Sequence, residues 1–460
     1  MLSPLPKVLH EMGGKPLLFH VLKQVHLVAP HASVGVVVGH GREQVETFVR
    51  SEPGLKGMNI EFILQSEQRG TGHAARCALD SAWGEARVRE KAPVLVLPGD
   101  LPLISSDLIR QMLAPLNKRQ ALRLLTCELP EPTGYGRVVR RAKSGPVLRI
   151  VEEKDASPKE KDIREVAASI YLFQSGFLQV SLRRLSNLNA QGEYYLTDLV
   201  SHAVKAKKEV DVLRWKVAED LRGVNDPWEL AQASQIMNER INRAWSRKGV
   251  KFIDPWTTRV DVTVQLEEGV TLYPGTILMG TTRLGKGVTI GSQVVLKNVW
   301  VGDHATVKTG TVAEQARIGE QAQVGPYAHL RPDADVGAKA KIGNFVEIKN
   351  SKIGESTSVA HLSYVGDAEV GRNVNIGCGF VTCNFDGRII DGKKKHKTII
   401  EDEVFLGSDC QAVAPLRIGK GAFIASGSTL TENVGPGDLA IARSRQVNKP
   451  GYAKKFRKSE

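Results

Sequence analysis

Polar side chains interrupt an otherwise aliphatic and glycine-rich stretch in the second half of the chain. The interruptions are Ala328-His-Leu-Arg331-Pro332, Gly343-Asn-Phe-Val-Glu-Ile-Lys349, His361-Leu-Ser-Tyr364, Val365-Gly-Asp-Ala-Glu369, Asn375-Ile-Gly-Cys-Gly379 and Thr382-Cys-Asn-Phe-Asp-Gly387. An imidazole can take a proton near neutral pH, and arginine and lysine bind phosphate or carboxylate oxygens. A lone histidine is more often structural, so His361 draws its interest from the segments around it. In the first half, Val94-Leu-Val-Leu-Pro-Gly-Asp100 is an apolar run ending in a carboxylate. Ligands bind at the carboxyl ends of strands in open α/β sheets, although a lone Asp there also suits loop capping. Gln65-Ser-Glu-Gln-Arg-Gly-Thr-Gly-His-Ala74 has Gly70 and Gly72 where backbone could approach a base or phosphate. Pro132-Thr-Gly-Tyr-Gly-Arg137 is a second such loop, and Asn189-Ala-Gln-Gly-Glu-Tyr-Tyr-Leu-Thr-Asp198 is more polar and aromatic than a turn requires.

These residues need a scaffold, and the two halves offer different ones. Up to residue 225, short runs such as Val34–Val38, Phe62–Leu64 and Val94–Leu97 lack alternation and suit parallel strands covered on both faces. Helical stretches such as Glu43–Val49 and Asp107–Leu113 lie between them, with Ser105 or Ser106 as a cap. This alternation predicts an open α/β sheet for residues 1–225. A linker helix is expected over 226–249: Pro227 suits its first turn, Leu230, Ala233, Met237, Ile241 and Ala244 give it an apolar stripe, and Gly249 is a natural stop. From Asp261 aliphatic-glycine pairs recur, among them Leu284-Gly285, Ile290-Gly291, Ile318-Gly319, Val336-Gly337, Ile342-Gly343 and Ile418-Gly419. Ile400, Leu406, Ala412, Ile418, Ile424 and Leu430 keep a six-residue step without a break. A hexapeptide period is the signature of a parallel β-helix, here expected over 250–460, with the aliphatic residues inward and the glycines easing the corners.

A chain of 460 residues is too long for one ordinary core. No apolar run is long enough to span a bilayer and Met1–His10 lacks the apolar stretch of a signal peptide, so a cytoplasmic protein without membrane attachment is expected. Cys77, Cys127, Cys378, Cys383 and Cys410 are odd in number and scattered, as suits reduced packing thiols. The net charge of +13 is dispersed apart from Lys393-Lys394-Lys395 and the tail Lys454, Lys455, Arg457, Lys458. With no nucleic-acid motif beside it, this charge points to anionic small substrates and a solvated surface.

The strings LPKVLH, EQRGTGHA, PTGYGR, NAQGEYYLTD and GVN occur in this order. With the polar strings of the repeat, they make the chain resemble, from about Leu5 to Gly451, the bifunctional N-acetylglucosamine-1-phosphate uridylyltransferase/glucosamine-1-phosphate acetyltransferase family. That resemblance implies a Rossmann-like nucleotidyltransferase domain, a linker helix and a left-handed β-helix assembling as a homotrimer whose acetyl-transfer site lies between subunits. The implied substrates are glucosamine-1-phosphate, acetyl-CoA, N-acetylglucosamine-1-phosphate and UTP, with Mg²⁺ as cofactor and the product UDP-N-acetylglucosamine. It assigns Asp100 and Asn225 to the metal, Lys7 to the phosphates, and Gln65, Gly70 and Thr71 to the uracil, with Gly99 beside Asp100 in the nucleotide site and Gly136 and Glu152 lining the sugar pocket. In the repeat it assigns His361 as base, Arg331, Lys349 and Lys395 as the phosphate clamp, and Tyr364 and Asn375 to the sugar. Cys378, Asn384, Phe385, Ser408, Ser426 and Arg443 fall on the acetyl-CoA side.

Several positions depart from the family pattern. Met1 stands just past where a glycine-rich, basic phosphate loop would end, and a start codon chosen downstream is the expectation over a true loss, which would weaken nucleotidyl transfer. Pro98 replaces a tyrosine, Ala167 a sugar-pocket asparagine, Phe385 a common tyrosine and Cys378 a common alanine. An acyl-enzyme through Cys378 is disfavoured, because no base is visibly paired with it. An insertion between Arg388 and Lys394 leaves Lys393 and Lys394 as alternatives to Lys395. Two other readings stand beside the bifunctional one: a monofunctional acetyltransferase with an impaired N-terminal domain, and a non-catalytic scaffold or regulatory subunit.

Overall fold

The computed structural model describes residues 3–142, 145–387, 389, 392 and 394–456. Lys393, Arg388, Arg457 and Lys458, singled out above, lie outside them. The chain divides into two compact units, Met1–Met237 and Asn238–Glu460.

In the first unit the strand Glu165–Gln174 is buried along almost its whole length. Hydrophobic residues on both its faces suit a central position. It pairs antiparallel with Gln120–Glu128, with Gly136–Arg140 and with Pro93–Val96. Glu209–Arg214 runs parallel beside Gln120–Glu128, and Val147–Val151 closes the other side against Gly136–Arg140. Ser33–Val38 and Asn59–Leu64 pair in parallel as a separate two-stranded sheet. The arrangement is Rossmann-like α/β, and of the three runs expected as parallel strands two pair in parallel, whereas the run ending at Asp100 is antiparallel to its neighbour. Two of the three quoted runs are also only half-covered, since Ser33–Val38 buries Val38 alone and Asn59–Leu64 buries Ile63 alone. Ser105 caps the helix Ser106–Met112, its hydroxyl accepting from the Leu108 N–H. The helix Pro227–Ser246 begins in this unit, where Leu230, Ala233, Ile236 and Met237 join Met12, Leu17, Leu103 and Val224.

The second unit is a parallel β-helix whose strands, among the described residues, form three sheets of eleven, ten and nine strands. Successive coils repeat every 17 or 18 residues: Leu272 lies beside Ile290, and Ile290 beside Val307. One coil, whose three strand pairings include Ile376 with Leu406, instead jumps 30 residues. That jump accommodates the loop that follows Cys383. The inward column Ile400, Leu406, Ala412, Ile418, Ile424 and Leu430 is buried throughout, as its six-residue step requires.

The glycines of the aliphatic-glycine pairs do a different job from the one expected. Apart from Gly325, which itself holds φ +95°, the left-handed corners fall two residues later and are mostly filled by other residue types, such as Gln293, His304 and Gln321, while Asn298 and Asp333 fill corners that follow no paired glycine. The paired glycines are needed because the next coil lies directly against them. A methyl on Gly337 would stand 2.7 Å from the Ile353 carbonyl oxygen and 2.9 Å from the Glu355 nitrogen.

Candidate functional site

In the first unit, Lys7 opens the short helical turn Lys7–Leu9, and its ammonium lies between two oxygens. It donates to Asp100 Oδ2 at 2.5 Å and to Asn225 Oδ1 at 3.1 Å. Asp100 lies just past the strand Pro93–Val96, and its carbonyl accepts from the Val224 N–H at 3.1 Å. That bond ties the turn to the segment that presents Asn225. Two hard oxygens thus face one cation position, which fits Mg²⁺: such an ion takes one or two protein oxygens and completes its octahedron with phosphate and water. Among the described residues no group of three or more His, Cys, Asp or Glu side chains is placed to hold a metal.

Gly70 and Gly72 press against Tyr194 of the Asn189–Asp198 segment: the Gly72 N–H donates to the Tyr194 carbonyl at 2.7 Å, and Gly70 holds φ +96°. Thr71 Oγ1 accepts from the Leu196 N–H at 3.2 Å, and Gln65 Nε2 reaches His73 Nδ1 at 3.1 Å. The two loops singled out in the sequence therefore form one wall. Gly136 pairs across the sheet with Ala167, and a methyl on Gly136 would stand 3.4 Å from the Glu152 carboxylate. Glu152 accepts from Thr197 Oγ1 at 2.8 Å. Burial raises the Glu152 carboxyl above the ordinary range; the Thr197 hydrogen bond opposes this and nearby Asp198 adds to it. Gly99 has ordinary van der Waals room around it.

In the second unit His361 ends the strand Ser358–His361 just before a left-handed corner at Leu362. Its ring is exposed, and Nδ1 lies 2.8 Å from Asn344 Oδ1 on the preceding coil. On the adjoining sheet, Arg331 pairs with Glu347 at 2.8 Å, and Glu347 lies beside Tyr364 in the next strand. Lys349 is held below the usual lysine range, first by contact with the Lys395 amine, then by desolvation and by the charges of Lys395 and Arg331; Asp367 opposes the shift. Three cations crowding one place against their own repulsion is the electrostatics of an anion site. Asp367 organises its floor: it accepts from Asn384 Nδ2 at 2.5 Å and lies 4.0 Å from Lys395 Nζ. Asn384 also reaches the Tyr364 hydroxyl at 3.4 Å. Lys395 is placed against Lys349; among the described residues Lys394 makes no such contact, and Lys393 lies outside them.

Asn375 and Cys378 stand one coil beyond His361, Ser408 two and Ser426 three, along the same sheet and corner. At about 4.8 Å per coil this row covers roughly 14 Å. Arg443 donates to the Ser426 carbonyl at 2.7 Å, and Phe385 is 60% exposed beside the loop. The sequence reading passed over Asn344, Glu347 and Asp367, which hold His361, Arg331 and Asn384. Spacing could have found Asn344 and Asp367, since each lies 17 residues from its partner.

Comparison with known proteins covers both units. Residues 3–235 match the nucleotidyl transferase family, and residues 315–350 match the bacterial transferase hexapeptide (six repeats) family. The bifunctional protein GlmU of Syntrophotalea carbinolica is 45% identical over 447 residues, spanning 97% of this chain and 92% of that protein. The bifunctional proteins GlmU of Halalkalibacterium halodurans and Trichlorobacter lovleyi are each 42% identical, over 99% of this chain and 96% of theirs. With both halves matched in order and at this identity, the chain belongs to the GlmU family of bifunctional proteins.

Proposed function

We propose that this chain acetylates glucosamine-1-phosphate with acetyl-CoA and then joins N-acetylglucosamine-1-phosphate to the uridylyl group of UTP, releasing pyrophosphate. Family membership over both units supports two activities and sets aside the monofunctional and scaffold readings. The observation that carries the acetyl-transfer half is the cluster of Arg331, Lys349 and Lys395, with His361 and Tyr364 on neighbouring rungs.

In this reading the three cations hold the sugar phosphate by charge-assisted hydrogen bonds. Tyr364 and Asn375 orient the ring so that its 2-amine faces His361. The free His361 nitrogen, Nε2, takes a proton from the ammonium, and the amine attacks the thioester carbonyl. The carbon–sulfur bond then breaks, the sulfur takes the proton held by His361 so that coenzyme A leaves as a thiol, and the nitrogen gives its surplus proton to solvent as the amide forms. Ser408, Ser426 and Arg443 lie along the row where the coenzyme would extend.

In the first unit, Asp100 and Asn225 would hold Mg²⁺, which supplies charge neutralisation at the triphosphate when bound. Lys7 turns its ammonium toward phosphate, Gln65, Gly70 and Thr71 meet the base, and Gly136 and Glu152 line the sugar. Positioning and neutralisation carry most of phosphoryl-transfer catalysis. The flat parallel sheets of the β-helix favour side-by-side association into a homotrimer. No helix among the described residues is long and apolar enough to cross a membrane, and small anionic substrates suit a cytoplasmic setting.

Two assays on the full chain test the proposal: thiol release from acetyl-CoA with glucosamine-1-phosphate, and pyrophosphate release from UTP with N-acetylglucosamine-1-phosphate and Mg²⁺. His361→Ala is expected to abolish the first and spare the second. Full acetyl transfer by that variant would overturn the assignment of the base.

A further inference from the structure

Asn344 and His361 occupy equivalent places on successive coils, 17 residues apart, each followed by a left-handed corner at Phe345 or Leu362. Several contacts lock this register. The Leu362 N–H donates to the Asn344 carbonyl at 3.0 Å. Gly343 lets the coils approach, because a methyl there would run into the Ala360 carbonyl oxygen. The two side chains are therefore fixed by backbone pairing rather than by a flexible loop. The contact joins His361 Nδ1 to the amide oxygen of Asn344 at 2.8 Å.

An amide oxygen can only accept, so the ring proton must sit on Nδ1, which leaves the Nε2 lone pair for the substrate. A carboxylate in the same place would also accept, but its charge would favour the imidazolium and raise the pH at which the base becomes free. A neutral acceptor orients the ring without that penalty. We propose that Asn344 is a positioning residue for acetyl transfer, holding His361 with Nε2 toward the sugar amine. This inference rests on His361 being the base.

The test uses the full-length protein and thiol release from acetyl-CoA as a function of pH. Asn344→Ala is expected to lower kcat about 10–100-fold, by analogy with residues that orient a metal-ligating histidine, with KM for glucosamine-1-phosphate changed less than about 2-fold. Asn344→Asp should recover most of kcat at high pH, with the acid limb of its profile moved upward by about one unit. Because the aspartate variant keeps size and acceptor, it carries the test even where the alanine variant folds poorly. An Asn344→Ala enzyme with wild-type kcat beside an inactive His361→Ala enzyme would overturn the inference and leave the base standing. An Asn344→Asp enzyme as slow as the alanine variant, with no shift of the limb, would also overturn it. An active His361→Ala enzyme would overturn the base itself.

Discussion

Replacing Lys349 by methionine should weaken substrate binding without weakening the protein. The lysine belongs to a cluster with Arg331 and Lys395, and contact with Lys395 is the largest cause of its lowered pKa. A charge-assisted hydrogen bond to phosphate contributes about 1.5–3 kcal/mol. Its loss corresponds to a rise in KM for glucosamine-1-phosphate of roughly 10–150-fold. Stability moves differently. A lysine whose folded pKa lies below its unfolded value carries a penalty that is fully present below the folded pKa. The penalty is relieved only as pH rises through the window up to the ordinary lysine value. At pH 7 the charged side chain therefore stabilises nothing in the free enzyme, and solvent screening keeps the penalty within about 1 kcal/mol. Steady-state kinetics with varied sugar phosphate should show the higher KM. Thermal melts should show an unchanged or slightly raised Tm for the free variant, together with a smaller upward shift on adding inorganic phosphate. An unchanged KM with a lowered Tm would refute the argument, because it would make Lys349 an ordinary structural cation.

Three further outcomes follow from the same geometry. Asp100→Ala should lower pyrophosphate release by at least about 100-fold and weaken Mn²⁺ binding measured by electron paramagnetic resonance in the presence of UTP, while acetyl transfer persists; undiminished metal binding would remove Asp100 from the site. Glu165→Ala should destabilise the first unit by about 3 kcal/mol in denaturant unfolding, because Arg140, paired to it at 2.6 Å, would be left half-buried with no counter-charge and the Gly145 carbonyl as its remaining partner. Burial pushes the Glu165 carboxyl up, but hydrogen bonds from Arg140 and Thr126 and the charges of Arg140 and Arg214 outweigh it and hold it below the usual range. Its contribution is therefore present above the ordinary glutamate value and lost as pH falls through the lowered one, so the gap between wild type and Glu165→Ala should narrow in acid. Gly337→Ala should cost more than about 1 kcal/mol by forcing coils apart, whereas Gly421→Asn, at φ +68° with open space around it, should be nearly neutral; equal costs would contradict the two roles given to these glycines.

The β-helix was legible because its period is short and its core is one column wide. A six-residue step places Ile400, Leu406, Ala412 and Ile418 inward whatever the loops do, so a single insertion shifts nothing beyond itself. The role of the paired glycines was not legible from conformational preference alone. Glycine adopts left-handed backbone readily, but so do Asn298 and Asp333 at these corners, and what selects glycine at 337 is the carbonyl of the coil beyond it. In the first unit strand positions could be read from apolar runs, but strand direction could not. Val94–Leu97 would have the same composition in either orientation, and only its partner Glu165–Gln174, distant in sequence, makes it antiparallel.

The second site could have been read more fully than it was, because in a solenoid a fixed sequence distance is a spatial contact. Asn344 and His361, Asn350 and Asp367, and Asp367 and Asn384 are each separated by 17 residues and hydrogen-bonded. Glu347 and Tyr364 are neighbours on adjacent strands by the same offset. Once the coil length is known, the surroundings of any side chain are found one coil back and one coil forward, with no fold prediction needed. What this rule does not reach is the loop after Cys383, where the offset jumps to 30 and Lys395 returns to Lys349 by a path the repeat does not encode. The phosphate clamp is therefore part repeat and part excursion. Arg331 and Lys349 hold their places by register, whereas the third cation depends on the loop's anchor, the Asn384 carbonyl accepting from the His396 N–H at 3.0 Å. Changes in that loop should tune affinity for the sugar phosphate, while changes in the rungs should tune the chemistry at His361.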